Sequence, residues 1–144
     1  MLKHCWDLVW GGAIEFETPN RATRDVFFDE IDRVLAEEPE TQIYLASDSV
    51  EHISAARARY GTALITMDDH VDGNFRTTDT IESVQVALAE IVLLSRTEKI
   101  LGTYFSSFAA LAAAMGALPY KELCKLDKPP RWRQFAREPF AAGD

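Results

Sequence analysis

Short apolar runs and longer amphipathic stretches alternate along this chain, with Gly, Pro and Asn/Asp marking the joints between them. Residues 13–17 alternate apolar and polar and are stopped by Thr18-Pro19-Asn20, which predicts a half-exposed strand. Over 22–37, Val26, Phe27, Ile31, Val34 and Leu35 share one helical face, Asp25, Asp29, Glu30 and Asp32 lie outside it, and Pro39 ends the helix. Ile43-Tyr44-Leu45-Ala46 is continuously apolar and too short for a helix, so it reads as a buried parallel strand. A helix over 50–60 closed by Gly61, a third strand over 62–66 and a polar loop over 67–79 follow.

Asp79 or Thr80 caps a helix over 81–95 that is apolar almost all the way round, which predicts the most buried helix of the set. Residues 99–104 make a fourth strand, and Ser106-Ser107 can cap an alanine-rich helix over 108–115 that packs close to the sheet, with Gly116 at its C′ position. Beyond Leu118-Pro119, basic residues are interleaved with Glu122, Asp127, Trp132, Phe135, Glu138 and Phe140, and Pro129-Pro130 breaks the run; a Pro-broken final helix is expected there. Parallel strands joined by helical crossovers give an α/β fold: a three-layer, Rossmann-like open parallel sheet of about four strands with flanking helices. One domain over 1–144 is expected, its tail 118–144 packing back on the body.

Composition changes this picture little. With 144 residues, 47% hydrophobic and 26% charged, the chain can bury about 70% of its unfolded surface without staples. The net charge of −8 is an N-terminal property: residues 1–72 hold 6 Lys/Arg against 15 Asp/Glu, and residues 73–144 hold 9 against 8. An acidic chain without a basic run speaks against nucleic acid as a partner. Cys5 and Cys124 have no ligand or disulfide spacing and read as buried thiols. No signal-peptide pattern or uninterrupted membrane-length apolar run is present, so a cytoplasmic protein that neither spans nor binds a membrane is expected.

In such a sheet ligands bind beyond the carboxyl ends of the strands, which points to segments 18–24, 47–49, 67–76 and 103–107. The last is the sharpest. A strand ends in Gly102-Thr103-Tyr104-Phe105 and Ser106-Ser107-Phe108 open a helix, so hydroxyls, free N–H groups and the positive dipole end converge where a phosphate would fit; simple capping by the serines is the bland alternative. Asp48, with Ser49 beside it, stands where doubly wound folds place a ribose-binding acid, and it could equally cap the next helix. Arg76, at the end of the third segment, joins the candidate substrate-binding residues.

Gly11-Gly12 precede the expected first strand, and neither G-x-G-x-x-G nor G-K-[ST] occurs, which leaves no dinucleotide or phosphate-loop signature. Asp68-Asp69-His70 with Asp72 has ligand chemistry, but acids in a loop ordinarily make a solvated tip, so neither metal nor cofactor is expected. His4 and His52 have no partner that would make either a general base.

Two spaced stretches carry a resemblance: Ile43-Tyr44-Leu45-Ala46-Ser47-Asp48-Ser49, and Ala89-Glu90-Ile91-Val92-Leu93-Leu94-Ser95-Arg96 leading into Ile100-Leu101-Gly102-Thr103-Tyr104-Phe105-Ser106-Ser107-Phe108. Together they resemble the fucosyltransferase superfamily, in particular the nodulation and core α-1,6-fucosyltransferases, over roughly residues 43–116. The resemblance implies the C-terminal, GDP-sugar-binding half of a GT-B glycosyltransferase, a metal-independent inverting enzyme that moves fucose from GDP-fucose to an acceptor hydroxyl. By position, Ser106 and Ser107 would hold the diphosphate and Asp48 the nucleoside end. The family's first strand ends in H-x-R-x-x-D, which residues 13–20 do not reproduce, so Arg21 or Arg24 would have to supply the catalytic cation.

Three readings stay open. The chain is a fucosyltransferase-like donor domain completed by a second copy or a separate acceptor-domain subunit. Alternatively it is a non-catalytic module binding GDP-fucose, a related nucleotide sugar or phosphate, or an interaction domain whose aromatic tail docks on a partner.

Overall fold

The computed structural model describes residues 4–7, 23–71, 80–104, 106–124 and 131–134, with 4–7 and 131–134 described by their backbone. The elements run β1 (His4–Asp7), α1 (Arg24–Glu37), β2 (Ile43–Ala46), α2 (Val50–Tyr60), β3 (Leu64–Thr66), α3 (Ile81–Leu94), β4 (Ile100–Thr103), α4 (Ser107–Gly116), β5 (Pro119–Leu123) and β6 (Arg131–Gln134). They form a sheet in the order β3-β2-β1-β4-β5-β6, with β1 to β5 parallel and β6 antiparallel to β5.

The period-2 geometry of β2 sorts its four buried residues between two cores. Ile43 and Leu45 face one way, into a cluster with Phe27, Phe28, Ile31 and Val34 of α1 and Ile53 and Ala56 of α2. Tyr44 and Ala46 face the other way, into a cluster with Ile91 and Leu94 of α3 and Ala109, Ala112 and Ala113 of α4. Helices thus cover both faces of a mostly parallel sheet, which is the three-layer Rossmann-like arrangement expected from the alternation of elements. Among the described residues no helix is long and apolar enough to cross a membrane.

The alanines of α4 do what their size suggests. Ala109, Ala112 and Ala113 are fully buried, and a Cβ on Gly102 of β4 would stand 2.5 Å from the Ala109 Cβ and 2.8 Å from the Tyr120 ring. Helix and strand approach this closely because neither carries a bulky side chain at the crossing.

Several expectations are corrected. Among the described residues the sheet has six strands rather than about four. The described first strand is His4–Asp7, so Gly11-Gly12 come after it; the strand expected over 13–17 lies outside the described residues. Of the stretch expected to form a final helix, residues 119–123 and 131–134 instead form the β5–β6 antiparallel pair, with Pro119 at the first position of β5, where a missing N–H is tolerated; residues 125–130 and 135–144 lie outside the described residues. Helix α3 is not the most buried: Ile81, Val84, Leu88 and Val92 are exposed, because its apolar residues outnumber those the sheet can cover. The left-handed residue ending α4 is Ala117 (φ 51°), not Gly116. Gly116 is still needed in the last turn, since a Cβ there would run into the Ser95 carbonyl and Leu118. Of the two cysteines, Cys124 is buried, as expected, and the Cys5 side chain lies outside the described residues.

Candidate functional site

Because α1 and α2 lie on one face and α3 and α4 on the other, the helical connections diverge between β1 and β4, and the carboxyl ends of these two strands form the switch point at which open α/β sheets take their ligands. β2 and β4 both pair with β1, so their ends stand about 10 Å apart, a span that a nucleotide bridges. Asp7 ends β1 between them, in register with Ala46. That position was missed from sequence, because a four-residue strand carries too little pattern.

On the β4 side, Ser106 is the N-cap of α4 and its Oγ accepts a hydrogen bond from the Ala109 N–H at 3.2 Å. The Ser106 N–H in turn donates to the Thr103 carbonyl at 3.0 Å, a tight turn that carries the chain from strand to helix. Capping by Ser106 satisfies one N–H of the first turn, and the helix still begins with the Ser107 and Phe108 amides, next to the exposed Ser107 side chain. The dipole of a ten-residue helix adds partial positive charge at this point. Phe108 is half-buried against the α3–α4 core and anchors the turn. Thr103 is only 3% exposed, and its hydroxyl has no hydrogen-bond partner among the described residues. A buried, unsatisfied hydroxyl of this kind ordinarily costs about 1–3 kcal/mol.

On the β2 side, Ser49 rather than Asp48 caps α2, accepting from the His52 N–H at 3.3 Å, while the Ser47 Oγ accepts from the Ser49 N–H at 3.2 Å. The capping alternative for Asp48 is thereby removed, and its carboxylate stands exposed at the strand end. Arg24 opens α1 and lies 3.5 Å from Glu51 of α2, with Asp25 at 4.0 Å and the Phe28 ring beneath its guanidinium. Arg24 therefore bridges the starts of two helices. His52 nearby is held below its ordinary value, first by burial and then by the Arg24 charge, with Glu51 and Asp48 opposing.

After β3, Asp69 is occupied by structure. Its carboxylate accepts from the Thr66 N–H at 2.9 Å and pairs with Arg57 at 2.8 Å, and the Thr66 amide is the first cause of its depressed pKa. Among the described residues no cluster of His, Cys, Asp and Glu has the arrangement of a metal site. Arg21 and Arg76 lie outside the described residues. The sheet thus brings Asp48, Ser49 and Arg24 to one side of β1, and Thr103, Ser106, Ser107 and Phe108 to the other. What this edge offers chemically is anion and hydroxyl recognition.

The fold matches that of a solved fucosyltransferase. The fucosyltransferase NodZ from Bradyrhizobium superposes with a TM-score of 0.57 at 11% identity, over 91% of this chain and 40% of that one. Its selenomethionine form gives 0.58 at 11% identity, over 92% and 42%. A mutant of Arabidopsis thaliana FUT1 in complex with GDP aligns at 16% identity over 83% of this chain and 29% of that chain, with a TM-score of 0.48. The chain spans less than half the length of each. No protein-family model matches the sequence, and no curated protein matches it.

Proposed function

We propose that this chain is a nucleotide-sugar-binding domain, the donor half of a fucosyltransferase-like GT-B glycosyltransferase. The diphosphate of GDP-fucose or a related donor sits against the first turn of α4, held by the Ser107 hydroxyl and the Ser107 and Phe108 amides. Asp48 and Ser49 receive the ribose end across β1. The observation that carries this reading is the first turn of α4 at the end of β4, where Ser106 caps one amide and the exposed Ser107 side chain stands beside the Ser107 and Phe108 amides.

The NodZ-like fold supports the same reading, and so does the coverage: a chain about two-fifths the length of NodZ has room for one of the two halves of a GT-B enzyme. On this reading residues 1–144 belong to one domain, which works in the cytoplasm. Transfer of fucose without a metal then requires an acceptor half facing this one across the cleft. The test is calorimetric titration with GDP, GDP-fucose and UDP without metal; selective guanine-nucleotide binding that weakens in Ser107→Ala supports the reading, and equal binding by that variant removes it.

One observation favours the non-catalytic alternative within the same site. Arg24, the described candidate for the cation that stabilises the leaving diphosphate, is engaged by Glu51 and Asp25. A domain that binds the donor and does not transfer it would show affinity with neither fucosyl transfer nor donor hydrolysis.

A further inference from the structure

The two outer layers of the domain differ in kind. The solvent side of α1 and α2 carries ion pairs, with Arg33 between Glu30 and Glu37 and Arg59 on Asp32. Helices α3 and α4 have nothing comparable: across their 14 and 10 residues the charged side chains are Glu82 and Glu90, and Glu90 is buried. Their solvent side is instead apolar. Ile81 (74% exposed), Val84, Leu88 (58% exposed) and Val92 recur at three- and four-residue spacing as one ridge along α3, while Leu111 and Met115 stand one turn apart on the neighbouring α4.

We infer that this face is where a second copy of the chain docks. Six such side chains, each about half exposed, present on the order of 600 Å² of apolar surface, most of the ~800 Å² that each partner buries in a standard interface. A two-fold contact needs a patch complementary to itself, and the α3 ridge has that property. With two α3 helices antiparallel across the axis, Ile81 of one copy meets Val92 of the other and Val84 meets Leu88. The same arrangement sets the two Glu82 carboxylates at opposite ends, roughly 13 Å apart along the helices, so no like charges face each other. A membrane surface fits poorly: an interfacial helix carries a rim of Lys and Arg, and neither helix contains one.

Sedimentation of the full chain over the micromolar range tests this. The expected result is a reversible dimer for the wild type and association weakened roughly tenfold or more in Leu88→Glu and in Leu111→Glu. Circular dichroism should be unchanged, because both positions are exposed, and so should the melting midpoint when compared at concentrations where the wild type is monomeric. Ala36→Glu, on the exposed side of α1, should leave the dimer intact. Should Leu88→Glu fail to fold, Leu88→Gln carries the test with the same expected direction. A monomer at every concentration overturns the inference, and so does a dimer that survives the Leu88 and Leu111 changes together.

Discussion

Lys121 Nζ of β5 lies 2.6 Å from Glu30 Oε1 of α1, and the two side chains are only 8% and 13% exposed. This pair ties the β5 side of the sheet to the helix layer above it. Its partners are unequal: Glu30 is also held by Arg33 through two hydrogen bonds, at 2.6 and 3.3 Å. Glu30→Gln takes from the buried Lys121 ammonium the carboxylate 2.6 Å away and at the same time removes the two-bond partner of Arg33, at a cost of about 3 kcal/mol. Lys121→Met leaves Glu30 with Arg33 and should cost under about 1.5 kcal/mol. Urea midpoints of the two variants measure this difference, and equal losses would contradict it.

The same carboxylate makes stability depend on acid. Burial works to raise the Glu30 pKa, but hydrogen bonds from Arg33 and Lys121 and their charges outweigh it and hold the group below its ordinary 4.5. Asp32, through Arg59, and Asp69, through the Thr66 amide, are likewise held below 3.8. As pH falls through the ordinary values, the unfolded chain takes up protons that the folded chain refuses, so unfolding is favoured. These contributions are fully present above about pH 5 and are lost as the folded values are passed. The melting midpoint should fall steadily below pH 5, and the slope should be shallower in Glu30→Gln.

The α4–β4 contact gives a second stability prediction. Gly102→Ala sets a methyl 2.5 Å from the Ala109 Cβ and against the Tyr120 ring, neither of which can move without shifting backbone or a fully buried side chain. Overpacking of this kind costs about 1–3 kcal/mol. Because α4 would be pushed off the sheet, nucleotide affinity should fall with stability. A Gly102→Ala chain of unchanged urea midpoint would show that the contact is looser than described.

How far the sequence revealed this architecture varied by element, for physical reasons. β2 was legible because four apolar residues in a row have one common use, burial on both faces, and α1 because its charged and apolar residues separate at 3.6-residue spacing. β1 was not, since His4–Asp7 is a strand by virtue of neighbours on both sides rather than of its own pattern. β5 hid behind Lys121 and Glu122, which look like surface residues until Glu30 appears opposite Lys121. α3 misled in the opposite sense: an all-apolar helix suggests burial, yet only the fold shows that, among the described residues, no layer lies above its outer face. At the site, the Ser106 cap was readable, whereas assigning the α2 cap to Ser49 rather than Asp48 needed coordinates.

Ser107 is the residue on which the functional account turns. It is exposed at the start of α4, outside the core clusters, so Ser107→Ala should leave the fold unchanged while removing a donor to the diphosphate. Loss of one hydrogen bond to a charged group corresponds to about 1.5–3 kcal/mol, roughly a tenfold or greater loss of affinity.

The most direct measurement is calorimetric titration of the purified chain and of Ser107→Ala with GDP, GDP-fucose and UDP, without metal. The account predicts that the wild type binds both guanine nucleotides in preference to UDP and that the variant, with the same circular dichroism spectrum, binds them at least about tenfold more weakly. Absence of binding by any of the three, or equal binding by wild type and variant, would contradict it.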